Sequence, residues 1–159
     1  MKPTEEHIKE IAELLDCGQL CFFHEPTGTI EHYPDPDNPY VELEEWQETL
    51  NNIEADRENY LKFEKMDSRQ GFQLMEDFAN SINDDNFRTR LFEQLSQRKP
   101  FSKFKWTIDN SEYRQDWFDF KEQAYLNWVR EQLNNKTDNS WQWNSCHFYF
   151  WYHVFQDQQ

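Results

Sequence analysis

Apolar residues recur every three or four positions over most of this chain and alternate in a few short stretches. Ile8, Ile11, Ala12 and Leu15 share one helical face, and Thr4 stands before them as an N-cap with Glu5 and Glu6 in the first turn. With Gly18 as the stop, the spacing predicts a helix over 5–16. Two β-prone runs follow, Leu20–His24 and Thr29–Tyr33, separated by Glu25-Pro26-Thr27-Gly28. A hairpin with Pro26 and Thr27 as its two loop residues sets Cys21 and Phe23 on the same face as Ile30 and His32. The run Pro34–Pro39 is too proline-rich to continue either element and reads as a loop.

Beyond it, Leu43, Trp46, Leu50 and Ile53 predict an acidic helix over about 42–55, and Leu61 and Phe63 alternate in a strand over 59–64. The second half is helical. Ser68 can cap a helix carrying Phe72, Met75, Ala79 and Ile82, and Asn83 or Asp84 starts another carrying Phe87, Leu91 and Leu95. Pro100 begins a third, in which Phe101, Phe104 and Ile108 face the core. The longest helix, about 112–134, has two apolar stripes on roughly opposite sides. Tyr113, Trp117, Phe120, Ala124 and Trp128 form one; Phe118, Tyr125, Leu126, Val129 and Leu133 form the other. Such a helix must be covered on both sides, which makes it the spine of the fold. Cys146–Phe155 alternates as a fourth strand, and the simplest expectation is that it covers the second stripe.

The reading is therefore α+β: a small antiparallel sheet (hairpin 20–33, strand 59–64, C-terminal strand 146–155) on about five or six helices. One domain over 1–159 suits the length, with 137–159 as an aromatic C-terminal extension. Mean hydropathy is low, yet seven Trp, seven Tyr and fourteen Phe supply few but large core side chains, which a disordered chain lacks.

The formal charge of −15 is unevenly spread. Residues 1–70 hold eighteen acidic and six basic groups, whereas 98–105 hold Arg98, Lys99, Lys103 and Lys105 and no acid. A mostly acidic surface repels nucleic acid and anionic lipid. Cysteines 17, 21 and 146 are too few for a disulfide framework, and no apolar leader or membrane span is evident, so cytoplasm is the expected compartment.

Leu15-Asp16-Cys17-Gly18 before a hairpin with Thr27-Gly28, then Phe72-Gln73-Leu74-Met75-Glu76-Asp77-Phe78, form a recognisable series. Arg90-Leu91, Phe101-Ser102-Lys103-Phe104-Lys105 and Trp117-Phe118-Asp119-Phe120 continue it. In this order the segments resemble the uncharacterised bacterial protein family 0158, over roughly residues 5–134. The resemblance implies no activity, since that family has none established, and the tail from about 137 departs from its pattern.

Candidate chemistry is sparse. Cys17, Cys21, His24 and His32 are zinc-type donors, but their spacing is that of no zinc ribbon or finger, and Cys21 and His24 point to opposite faces of the hairpin. Asp35-Pro36-Asp37-Asn38 lacks the central Gly and final Glu of a calcium loop. Glu76 with Asp77, and Asp84 with Asp85, are adjacent on helices and diverge by about 100°, so neither is a preorganised dyad. With three glycines there is no P-loop or dinucleotide fingerprint, and no nucleophile elbow. No cofactor and no catalytic residue is expected, and an enzyme with an unfamiliar carboxylate site is the third-ranked reading.

The basic island carries the interaction candidates, Lys99, Lys103, Lys105 and Trp106. They suit docking onto the acidic half of the same molecule, binding of a protein partner, or contact with single-stranded nucleic acid. In the tail, His147, Tyr149, Trp151 and His153 share one face and are candidates for a homodimer contact. The leading expectation is a non-enzymatic acidic module that binds a protein partner, with a nucleic-acid role (binding through 98–106, or acidic mimicry) ranked second and no role at a membrane.

Overall fold

The computed structural model describes residues 1–36 and 43–138. Helix α1 (Glu5–Asp16) leads into strand β1 (Gln19–His24), which pairs antiparallel with β2 (Ile30–Pro34). A short 3-10 turn (Leu43–Trp46) precedes α2 (Gln47–Ala55), and a second (Arg57–Asn59) precedes β3 (Tyr60–Phe63). Four helices follow: α3 (Ser68–Ser81), α4 (Asp85–Leu95), α5 (Pro100–Asp109) and α6 (Arg114–Asp138). The result is an α+β fold in which the described residues form a three-stranded antiparallel sheet in the order β2-β1-β3.

The hairpin has the register expected of a turn centred on Pro26-Thr27, with Cys21 opposite His32 and Phe23 opposite Ile30. The loop, however, is four residues, 25–28, closed by the His24 amide on Thr29 O and the Gly28 amide on His24 O. Gly18 (φ 81°) and Gly28 (φ 74°) supply the left-handed residues at the two ends of this unit. Thr4 caps α1 through a reciprocal pair in which its side chain accepts from the His7 amide while His7 Nδ1 accepts from the Thr4 amide. Two boundaries differ from expectation. Asp67, not Ser68, caps α3, again in a reciprocal pair with Gln70. A carboxylate is the stronger acceptor, and it takes the position one residue earlier. Pro34 closes β2 instead of opening a loop, because an edge strand needs no amide hydrogen on its outer side.

Three apolar clusters form. Cys21, Phe23, Leu61 and Phe63 on one sheet face pack with Ile8, Ile11 and Leu15 of α1 and Val129 of α6. On the other face Phe22, Tyr33 and Tyr60 pack with Ile53 of α2 and the half-buried Trp46 and Leu50. The third cluster is helical: Met75, Phe78, Ala79, Ile82, Leu91, Leu95, Phe104 and Ile108.

Helix α6 joins the first and third clusters, but in succession along its length. Its N-terminal half applies Tyr113, Trp117 and Phe120 to the helical core. Its C-terminal half applies Tyr125, Leu126, Val129 and Leu133 to α1 and the sheet. Trp128, expected on the first stripe, instead belongs with the sheet core, and its indole Nε1 donates to Glu64 O at 2.7 Å. Eleven residues beyond Trp117 an α-helix has advanced about 16 Å, so the same stripe meets a different neighbour. Among the described residues, α1 and the sheet cover the C-terminal part of the second stripe, and Phe118 at its start is exposed. The strand over 146–155 lies outside the described residues. Among the described residues no helix is long and apolar enough to cross a membrane.

Candidate functional site

Helix α5 presents the basic island. Lys99 precedes it in the left-handed region (φ 58°), a conformation that costs a non-glycine residue about 1 kcal/mol or more, and Pro100 then starts the helix with no amide hydrogen to satisfy. Phe104, Thr107 and Ile108 are buried against α3, α4 and α6, and that seating fixes which face is left outward. Trp106 lies opposite them, 62% exposed, with Lys99, Ser102 and Lys105 exposed around it and Lys103 half-buried at one edge. Asn110 Nδ2 donates to Trp106 O at 2.7 Å, closing the helix end beneath the indole.

Phe101 departs from the core position expected of it. It is 44% exposed, and its ring lies against α3 where a Cβ on Gly71 would stand 3.3 Å away. The absence of a side chain at Gly71 is what lets the ring settle there.

Among the described residues, no ion pair docks this island on the acidic half of the molecule. None includes Arg98, Lys99, Lys103 or Lys105, and Lys103 Nζ donates to Gln97 Oε1 instead. Arg98, Lys99 and Lys105 therefore face solvent near a large exposed indole. A second exposed ring, Phe118 on α6, is occupied locally, with the Arg114 guanidinium 4.8 Å and the Lys121 ammonium 5.6 Å from its centroid.

The four zinc-type donors do not converge. Cys17 is exposed at the end of α1, and Cys21 is buried in the sheet core, where burial and then Glu10 push its thiol up to about 12. His24 is on the opposite face, and His32 packs on Trp46 with 5.7 Å between centroids.

His24 instead centres a polar cluster that the spacing of residues did not announce. Its Nε2 lies 2.7 Å from Asp56 Oδ2, and its Nδ1 lies 2.7 Å from Thr27 Oγ1. Asn59 Nδ2 holds the other carboxylate oxygen at 2.7 Å, and Thr29 Oγ1 lies 2.8 Å from Thr27 Oγ1. The hydrogen bond from His24, then that from Asn59, holds the Asp56 carboxyl below its ordinary value. Hydroxyl, imidazole and carboxylate in series are the parts of an activated nucleophile. The neighbouring backbone argues otherwise: the Gly28 amide donates to His24 O and the Thr29 amide to Thr27 Oγ1, so neither is left to hold an oxyanion. The cluster is a clasp tying the hairpin turn to the loop before β3. Its one sequence signal was a histidine at a strand end facing a Thr-Gly-Thr turn; the partner Asp56 lies 32 residues away.

A sheet covered on both faces, a separate helical core and one long helix through both define an acidic α+β domain with an exposed basic, aromatic helix face. The chain belongs to the uncharacterised protein family UPF0158, whose model matches residues 8–144. It is 26% identical to a UPF0158 protein of Pseudomonas aeruginosa over 140 residues, 85% of each chain. No solved structure matches it. The family match runs to 144, ten residues past the end expected from the segments read above, so Trp141 and Trp143 fall inside the family pattern. His147, Tyr149, Trp151 and His153 lie beyond it and outside the described residues.

Proposed function

We propose that this chain is a non-enzymatic interaction module that binds a protein partner through the outward face of α5. One observation carries the reading: Trp106 stands 62% exposed among lysines that make no ion pair within the described residues. Covering its exposed surface, about 150 Å², is worth about 4 kcal/mol at about 25 cal/mol/Å². Rim ion pairs contribute only about 0.2–1 kcal/mol each. The indole therefore supplies the affinity, and Lys99, Lys103 and Lys105 select a partner whose contact rim is acidic.

A nucleic-acid platform is less well matched. Single-stranded nucleic acid needs several rings along a basic groove. Here one indole projects from a convex helix, Phe101 leans on Gly71, and Asp109 is exposed on the same helix.

Immobilised protein, challenged with cell extract, tests the proposal. Proteins retained by the wild type and lost in parallel from Trp106→Ala and Lys103→Glu/Lys105→Glu, both with unchanged circular dichroism, are the expected result. Equal retention by all three refutes it. Salt-sensitive binding of a fluorescent oligothymidylate that disappears in the charge-reversal variant would transfer the site to nucleic acid.

A further inference from the structure

We infer that the α5 face takes a second copy of this chain, through the acidic entry to α2. This rests on the reading of α5 as an interaction surface and names its occupant. The complement is built into the same molecule. Glu44, Glu45 and Glu48 are exposed where the 3-10 turn runs into α2, and among the described residues no ion pair includes any of them. Their place at a helix start is favourable for the dipole, which explains why acids stand there. It provides no cation to face them.

Each copy thus carries a basic surface, whose one acid on α5, Asp109, is paired with Arg114, and an acidic surface whose three glutamates make no ion pair among the described residues. Within one copy they do not meet, because α5 is seated on the helical core and α2 on the outer face of the sheet. Between copies nothing separates them. Trp106 supplies an apolar centre, and the half-buried Trp46 and Leu50 lie beside the glutamates to receive it. The formal charge of −15 opposes association over long range, but beyond a screening length of about 10 Å at 0.1 M salt that repulsion is largely lost while touching charges still interact. Two different patches meet in this contact. A two-fold pair makes it twice, and a head-to-tail arrangement makes it once per junction.

Sedimentation velocity on the full chain tests this, with two charge-reversal proteins, Lys103→Glu/Lys105→Glu and Glu44→Lys/Glu45→Lys. At about 0.1 M NaCl the wild-type sedimentation coefficient should rise with concentration across about 10–500 µM, and at about 1 M, where screening reaches about 3 Å, it should stay monomeric. Each reversal protein alone should be monomeric at both salts. An equimolar mixture of the two should associate again at low salt, since each then offers the surface the other needs. A reversal that merely damaged the fold would not be rescued by mixing. A wild type that stays monomeric throughout, association that survives Lys103→Glu/Lys105→Glu (as a contact through His147–His153 would), or a mixture that fails to associate overturns the inference. If it falls while Trp106-dependent capture of other proteins persists, the reading of α5 stands with a foreign partner; if both fail, so does that reading.

Discussion

Removing the Phe78 ring is the severest single test of how this chain holds together. Phe78 is 2% exposed at the middle of the helical core. Its ring meets Trp117 at 5.1 Å, Phe120 at 5.4 Å and Phe104 at 6.4 Å between centroids, each steeply inclined so that edge faces π-cloud. Phe→Ala in a core costs about 3–5 kcal/mol, the transfer of the ring plus the cavity it leaves. Three ring partners, two of them on α6, limit collapse into that cavity, so Phe78→Ala is expected near about 4 kcal/mol. With a urea slope of about 2 kcal/mol/M, the midpoint should fall by about 2 M. The measurement is urea unfolding followed by both tryptophan fluorescence and far-ultraviolet circular dichroism. Trp106→Ala is the control, expected within about 0.5 kcal/mol of wild type because its side chain is mostly in water. A loss for Phe78→Ala below about 1.5 kcal/mol would refute the packing argument. Because α6 contributes to both cores, the two probes should report one transition; separate transitions would refute that coupling.

Asp84→Ala should cost about 1 kcal/mol, seen as a lower melting temperature, because Asp84 Oδ1 accepts from the amides of Asn86 at 2.9 Å and Phe87 at 3.1 Å at the start of α4. Asp56→Asn should narrow the stability difference from wild type as pH falls. A carboxyl held below its ordinary value of 3.8 in the fold stabilises fully above that value and loses its contribution as pH drops through the lowered one. Parallel urea midpoints between about pH 6 and 2 that never converge would remove the His24–Asp56 bond from the account. In native protein at pH 8, iodoacetamide should label Cys17 and leave Cys21 intact, as peptide mass spectrometry would show, since Cys21 is buried with its thiol pushed up to about 12. Fast labelling of Cys21 without denaturant would contradict the sheet core.

Local chemistry made much of the fold legible. A turn centred on Pro26-Thr27 implies one hairpin register, and that register is present. Helical periodicity placed Met75, Ala79, Leu91 and Leu95 in the core. What spacing could not carry was distance along an axis. Trp117 and Trp128 share a stripe, yet one meets α5 and the other the end of β3. Phe101 shares an angle with Phe104 and is drawn off by a missing side chain on another helix, at Gly71. The basic island was visible as composition, but whether it lay against the acidic half depended on which face Phe104 and Ile108 buried. The clasp at His24 needed a partner from a loop beyond α2, and no pattern in one sequence links the two.

The sheet's inner face has a consequence for how the chain folds during synthesis. Its last strand ends at Phe63, but the side chains that close over it, Val129 and Leu133, emerge much later. The pairings that fasten them join residues 64 and 125 positions apart: Trp128 to Glu64, and Arg130 to Glu5. The helical core needs only neighbours in sequence, with Phe78 and Phe104 both present before α6 begins. Contacts between distant parts of a chain form slowly. The hairpin, made early, is therefore sealed last, and until then Cys21, Phe23 and Phe63 have only α1 to cover them against whatever the nascent chain meets.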